Sequence, residues 1–109
     1  MYTRIINFKI RPGSADELRR IAEQDTVPFL KGLRGFHGEH MVQVSETEIV
    51  SFETWENKES ADASRQAVEQ HIRQRYSHIL TSSPSFSEGQ LIVHGAGHEP
   101  HHHPGPSLR

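Results

Sequence analysis

Nine histidines in 109 residues are the feature of this sequence that bears most directly on chemistry, because imidazole exchanges protons near neutral pH. Ser64, His71 and His78 are spaced seven apart. On a helix that spacing leaves only about 20° of rotation, so the three form one row. A histidine in the row can take a proton from a bound hydroxyl if the row borders a pocket, and has no such role on a solvated flank. His71 lies about 10 Å along the helix from Ser64, so one cannot stand in for the other. His40 shares a strand face with Val42 and Val44 and is expected to point into the space under the helices, as a second base or as a hydrogen-bonded core residue. His37 and His40 are three apart on a strand, hence on opposite faces, and no metal site is expected in the folded part.

The aromatic residues offer walls for a flat ligand. Trp55 is the only tryptophan, placed at a strand end, where it packs or lines a pocket. Phe8, Phe52 and Tyr76 have the same two readings, pocket or core. Asn7 shares a face with Ile5 and Lys9, opposite Ile6 and Phe8, which directs it away from a pocket beneath the helices.

The elements that must position these residues follow from periodicity. Residues Tyr2 to Ile10 alternate and read as a strand buried mainly on one side. Arg11-Pro12-Gly13 ends it, and Ser14 followed by Glu17 reads as a capping box. The helix that starts there should break or kink near Thr26 to Pro28, where the amide is missing, and close at Gly32 or Gly35. Phe36 to Val44 and Ile49 to Trp55 read as a hairpin joined through Ser45 to Thr47. Asn57 can cap a long helix from Lys58 to about Leu80, whose stripe is Ala61, Val68, Ile72, Tyr76 and Ile79. A last strand is expected through Gln90 to His94. The order strand, helix, strand, strand, helix, strand predicts an α+β, ferredoxin-like split βαβ fold with a four-stranded antiparallel sheet. Residues 1–95 form the domain, and 96–109, rich in His, Pro and Gly, read as a disordered tail whose histidines could bind a metal weakly.

Composition narrows the function classes. Twelve basic against 14 acidic residues, a net charge of −2, give no field for nucleic acid or an anionic membrane. The absence of cysteine removes thiol chemistry and disulfides. No apolar run approaches the roughly 20 residues of a membrane span, and a cytoplasmic location is the default expectation. A hydrophobic fraction of 33% implies a thin core, and helices on one side of a small sheet leave the other side for a second subunit.

Three pieces together resemble the antibiotic biosynthesis monooxygenase (ABM) group of the dimeric α+β barrel superfamily. They are Arg11-Pro12-Gly13 before a helix, Val27-Pro28 leading to Gly35-Phe36-His37-Gly38, and Glu53-Thr54-Trp55-Glu56-Asn57-Lys58-Glu59-Ser60-Ala61. The resemblance implies a homodimer whose sheets face each other, a small pocket between sheet and helices, and oxidation of a quinol or polyphenol by molecular oxygen with no cofactor. Quinol-oxidising members commonly carry a histidine nine residues after the tryptophan, where this chain has Ser64. The haem-degrading members commonly carry a second Trp there, so haem cleavage is not expected. The expected activity is oxygenation of a small hydroxylated aromatic, with His71 or His40 as base and Trp55, Phe52, Ser64, Tyr76 and Phe8 around the substrate. The alternatives are a non-catalytic ligand-binding or signalling dimer, and an isomerase or cyclase that would turn over without oxygen.

Overall fold

Alternation along the first strand sets the two sides of the molecule. In the computed structural model, which describes residues 1–97, β1 (Tyr2–Lys9) buries Arg4, Ile6 and Phe8 beneath the helices and turns Thr3, Ile5 and Asn7 to the open side. A hairpin through Glu46 and Thr47 joins β2 (Phe36–Ser45) to β3 (Glu48–Trp55), whose inward residues are Ile49, Ser51, Glu53 and Trp55. With β4 (Ser85–Gln90) these make one antiparallel sheet in the order β2-β3-β1-β4. The architecture is the expected ferredoxin-like α+β fold.

The helices cover one side only. The first begins as α1 (Ala15–Ile21), widens into a π-helical turn (Ala22–Thr26) and resumes as α2 (Val27–Lys31). The second, α3 (Lys58–Tyr76), starts at Asn57, whose side chain accepts the Ser60 amide at 2.8 Å. Ile6, Phe8, Leu18, Leu30, Trp55, Val68, Ile72 and Tyr76 close the core between these helices and the sheet. On the open side Val42 and Val44 are 47% and 57% exposed.

Gly35 fixes how β2 meets α3. Its φ is +82°, and a Cβ there would lie 2.3 Å from Ser60 Oγ, so only glycine lets the chain pass this close to the helix. The Glu56 amide then donates to the Gly35 carbonyl at 2.7 Å.

Three local expectations need correction and one is refined. The Ser14 hydroxyl donates back to the Arg11 carbonyl and makes no cap, so the capping box does not form. The interruption expected near Thr26 to Pro28 is a wider turn and not a break: Val27 N–H reaches the Ala22 carbonyl five residues earlier, Pro28 stands in the first turn of α2, and that short piece closes at Gly32 as expected. The second helix ends at Tyr76, four residues before the expected Leu80, because the chain turns there to bring Ile10 and Leu80 into an isolated bridge. The last strand is Ser85–Gln90, not Gln90 to His94; it pairs with β1 through Phe86 and Glu88, while Ile92 and Val93 lie exposed beyond it. Of the expected tail, 96–109, the residues from His98 on, with all of its histidines, lie outside the described residues. Among the described residues no helix is long and apolar enough to cross a membrane.

Candidate functional site

Two polar clusters lie under the helices. The first is centred on Arg4, wholly buried on β1. Its Nη1 donates to Glu53 Oε1 at 3.0 Å and to Ser64 Oγ at 3.2 Å, its Nη2 to the Ala61 carbonyl, and its Nε to Glu88 Oε2 at 3.3 Å. Trp55 Nε1 adds a bond to Glu53 Oε1 at 3.1 Å, and Arg65 reaches Glu88 at 3.0 Å while covering the Phe86 ring. Burial pushes the Glu53 carboxyl upward, against the pull of Arg4 and Trp55. All three guanidinium nitrogens of Arg4 have protein acceptors, which makes this set a structural brace between sheet and α3.

The second cluster hangs on the π turn. Thr26 projects inward, and its hydroxyl is shared by His71 Nε2 at 2.9 Å and Tyr76 Oη. His71 stacks on Phe29 with ring centres 4.4 Å apart, and Tyr76 leans on Phe8 at 5.9 Å. Desolvation, helped by Arg75, lowers the His71 pKa, and desolvation raises the Tyr76 phenol to about 12. With both groups neutral, Tyr76 donates to Thr26 and Thr26 donates to His71, which satisfies the whole chain.

Beside this chain, on the inner face of β2, lies Glu39. Ser51 Oγ donates to its Oε2 at 2.8 Å. Desolvation raises the carboxyl to about 7, with Glu53 adding to the rise, and the Glu39 charge in turn helps to raise Tyr76. Glu39 borders a groove of about 460 Å³ between β2 and the first helix, walled by Leu18, Ala22, Val27, Met41 and Ile49. A separate, more open depression of about 620 Å³ between α2 and α3 is walled by Pro28, Phe29 and His71. The first has an apolar floor with the Glu39 carboxyl in its β2 wall and Asp16, Arg19 and Glu23 along its helix rim, a setting that suits a flat, mostly apolar ligand carrying a hydroxyl.

Comparison with known proteins decides the family. The family model for antibiotic biosynthesis monooxygenase matches residues 1–84. The chain belongs to the ABM family. No curated protein sequence matches it. Solved structures share the ABM fold at low identity. A protein of unknown function from Nitrosomonas europaea superposes with a TM-score of 0.73 at 11% identity, over 90% of this chain and 95% of that one. A monooxygenase from Streptomyces coelicolor, solved with nanaomycin D, gives 0.63 at 15% identity, over 90% and 91%. SnoaB, a cofactor-independent oxygenase from Streptomyces nogalater, gives 0.66 at 12%, over 85% and 94%.

Within this ABM fold the sequence-predicted residues fall in different places. His71 is buried in the Thr26 cluster and is not on a solvated flank, whereas His78 is exposed and meets Glu17 at 2.8 Å. Ser64, the position marked by the ABM resemblance for a histidine, is held by Arg4. Trp55 packs edge-on against Phe36 and under Arg4, and Phe8 and Tyr76 fill the centre of the core. His40 does not point under the helices: it pairs with Phe52 across the hairpin, on the open side, because Met41 and Glu39 take the inward positions. Phe52 is therefore on the open side too, and His40 reaches only the rim of the β2 groove. Thr26, Glu39 and Arg4 were missed. Arg4 and Glu53 stand in the same alternation phase as Ile6, Phe8 and Trp55, and opposite charges at two core-facing positions are a readable sign of a buried pair.

Proposed function

We propose that this ABM-family chain is a cofactor-independent monooxygenase that oxidises a small hydroxylated aromatic, a quinol or polyphenol, with molecular oxygen. The β2 groove, whose apolar floor of Leu18, Ala22, Val27, Met41 and Ile49 meets the Glu39 carboxyl on the inner face of the sheet, is the observation that carries the reading. An apolar cleft shields a substrate anion from water, and the anion can then pass an electron to oxygen. Its walls fit a flat ring, and its acid fits the hydroxyl that must lose a proton. His71, which walls the separate depression between α2 and α3, holds the Thr26 hydroxyl and through it Tyr76, as a positioning residue. His40 belongs to the open side, which we assign to a second copy of the chain: Val42, Val44 and Phe52 form an apolar patch there, and a facing sheet would cover it.

The deciding experiment is oxygen consumption by metal-stripped protein with a panel of hydroquinones, each corrected for its own autoxidation. A protein-dependent rate that survives chelation supports the oxygenase. Turnover that is equal without oxygen would transfer the reading to an isomerase or cyclase.

A ligand-binding dimer without turnover is the second reading. It is favoured by the Arg4 brace at Ser64 and by Phe8 and Tyr76, which fill the space at the centre of the core. Saturable quinol binding without oxygen uptake would establish it.

A further inference from the structure

Glu39 is the one acid on the inner face of the sheet that is left without a cation. Its neighbour across the hairpin, Glu53, has Arg4; Glu39 has only the Ser51 hydroxyl, bound to Oε2. Among the described residues no lysine, arginine or histidine forms an ion pair with it, and no hydrogen bond reaches its Oε1. Its side chain borders two depressions, the β2 groove and a smaller one of about 330 Å³ beside Val27, Phe36 and Gly38. An acid placed so contributes nothing to the brace and is open to a ligand.

We infer that Glu39 is the proton acceptor of the β2 groove, taking the proton of a phenolic or enolic hydroxyl on an aromatic ligand. The inference rests on the oxygenase reading for its chemistry, but not for its binding contact. In the step the ligand O–H bond breaks and its electron pair stays on the ligand oxygen. A new O–H bond forms on the Glu39 carboxylate. The ligand is left as a phenolate, which molecular oxygen then oxidises, and Glu39 returns its proton to solvent.

Three histidines compete for this role and are placed less well. His40 is on the opposite face of the same strand, His37 is exposed, and the Nε2 of His71 is occupied by Thr26. Burial supports Glu39 further, since a carboxyl raised to about 7 is a stronger base than an ordinary carboxylate and is still largely ionised at slightly alkaline pH. The titratable and charged groups around it come from three sides. Asp16, Arg19 and Glu23 line the groove from the first helix and His40 from its β2 rim, Lys31 and His37 flank the smaller depression, and Glu53 and Tyr76 lie inward. Of the two inward groups only Glu53 opposes ionisation of Glu39, since the Tyr76 phenol is uncharged below about 12.

The test combines oxygen uptake with a naphthohydroquinone and binding of 2-naphthol, a phenol that is not turned over as a quinol. The variants are Glu39→Gln and Ser51→Ala, with circular dichroism to confirm folding. If the wild type consumes oxygen, Glu39→Gln is expected to lose about 100-fold in kcat/KM. It should also lose the acid limb near pH 7. Ser51→Ala, which removes the group holding the carboxyl down, should move that limb to higher pH. Full activity and an unchanged limb in Glu39→Gln would overturn the inference while the oxygenase reading stands. If the wild type consumes no oxygen, that reading fails, and binding decides. Affinity for 2-naphthol that rises as pH climbs through 7 in the wild type, and is flat and about tenfold weaker in Glu39→Gln, sustains the contact. Equal affinities at every pH would overturn it. Should Glu39→Gln fail to fold, an unmoved pH dependence in Ser51→Ala, of rate or of naphthol binding, overturns the inference by itself.

Discussion

Glu39 and Glu53 face each other across the β2–β3 ladder on the same inner side of the sheet, and only Glu53 is paired with a cation. Like charges directly opposite each other on neighbouring strands destabilise the sheet. The pair is tolerated because the Arg4 guanidinium neutralises one member and partial protonation relieves the other.

A stability prediction follows from that relief. The Glu39 carboxyl titrates near 4.5 when unfolded and at about 7 when folded, so between those values the folded chain holds a proton that the unfolded chain has released. Stability from this group is present at low pH and is lost as pH rises to about 7. Above that pH Glu39→Gln should be more stable than the wild type by roughly 2 to 3 kcal/mol, and by little near pH 4.5. Urea denaturation at the two pH values measures the difference.

His71 works in the opposite direction. Its folded pKa is depressed below the ordinary 6.5, so the folded chain refuses a proton that the unfolded chain accepts. Stability from this group is present above 6.5 and lost as pH falls. Imidazole resonances followed by NMR should place the His71 midpoint below that of a free histidine; a midpoint at or above it would contradict the burial of the ring.

Arg4 should tolerate loss poorly. Arg4→Leu leaves Glu53 buried without its cation, at a cost of about 3 to 5 kcal/mol, a large share of the roughly 5 to 15 kcal/mol by which a domain is stable. The double variant Arg4→Leu with Glu53→Leu removes both charges and should recover at least half of the loss. A denaturant-based double-mutant cycle checks it, and equal losses in single and double variants would show that packing, not charge, sets the cost.

Two glycines with the same φ of +82° should respond differently to alanine. At Gly13 the space is open, and Gly13→Ala costs only the left-handed backbone, about 1 to 2 kcal/mol. At Gly35 the new Cβ would lie 2.5 Å from Ser60 Cβ, so Gly35→Ala should cost clearly more and displace the start of α3. Thermal unfolding of the two variants gives the comparison.

The proposed dimer is tested on its open face. Val42→Asp places a charge among Val44 and Phe52, and light scattering at micromolar concentration should show a dimer for the wild type and a monomer for the variant. A wild-type monomer would remove the proposed sheet-to-sheet assembly.

Much of the fold was legible because β1, the β2–β3 hairpin and α3 each keep one period over many residues. Alternation, however, says which residues share a face and not which face turns inward. On β2 the apolar Val42 and Val44 point outward while Glu39 and Met41 point in, so the usual rule placed His40 on the wrong side and hid Glu39. The last strand misled for a related reason. Leu91 to Val93 is the most strand-like run near the C-terminus, yet the pairing partner of β1 is the polar Ser85–Gln90, whose Phe86 and Glu88 meet Arg65 and Arg4. The candidate site depends on Thr26, Arg4 and Glu39 meeting partners 45, 60 and 12 residues away, separations that no local pattern records.

The π turn has one more effect, on the phase of the helical wheel. An inserted residue advances the wheel by about 100°, so the side chains before Ala22 and after Thr26 belong to two different wheels. Deleting any one residue of that turn would therefore do more than shorten a helix. It would swing Leu18 out of line with Leu30, turn the Thr26 hydroxyl off the axis joining His71 to Tyr76, and demand from Pro28 an amide hydrogen it does not have. Relatives of this chain that align with a one-residue gap there should carry a differently shaped groove, and a different residue in place of Thr26.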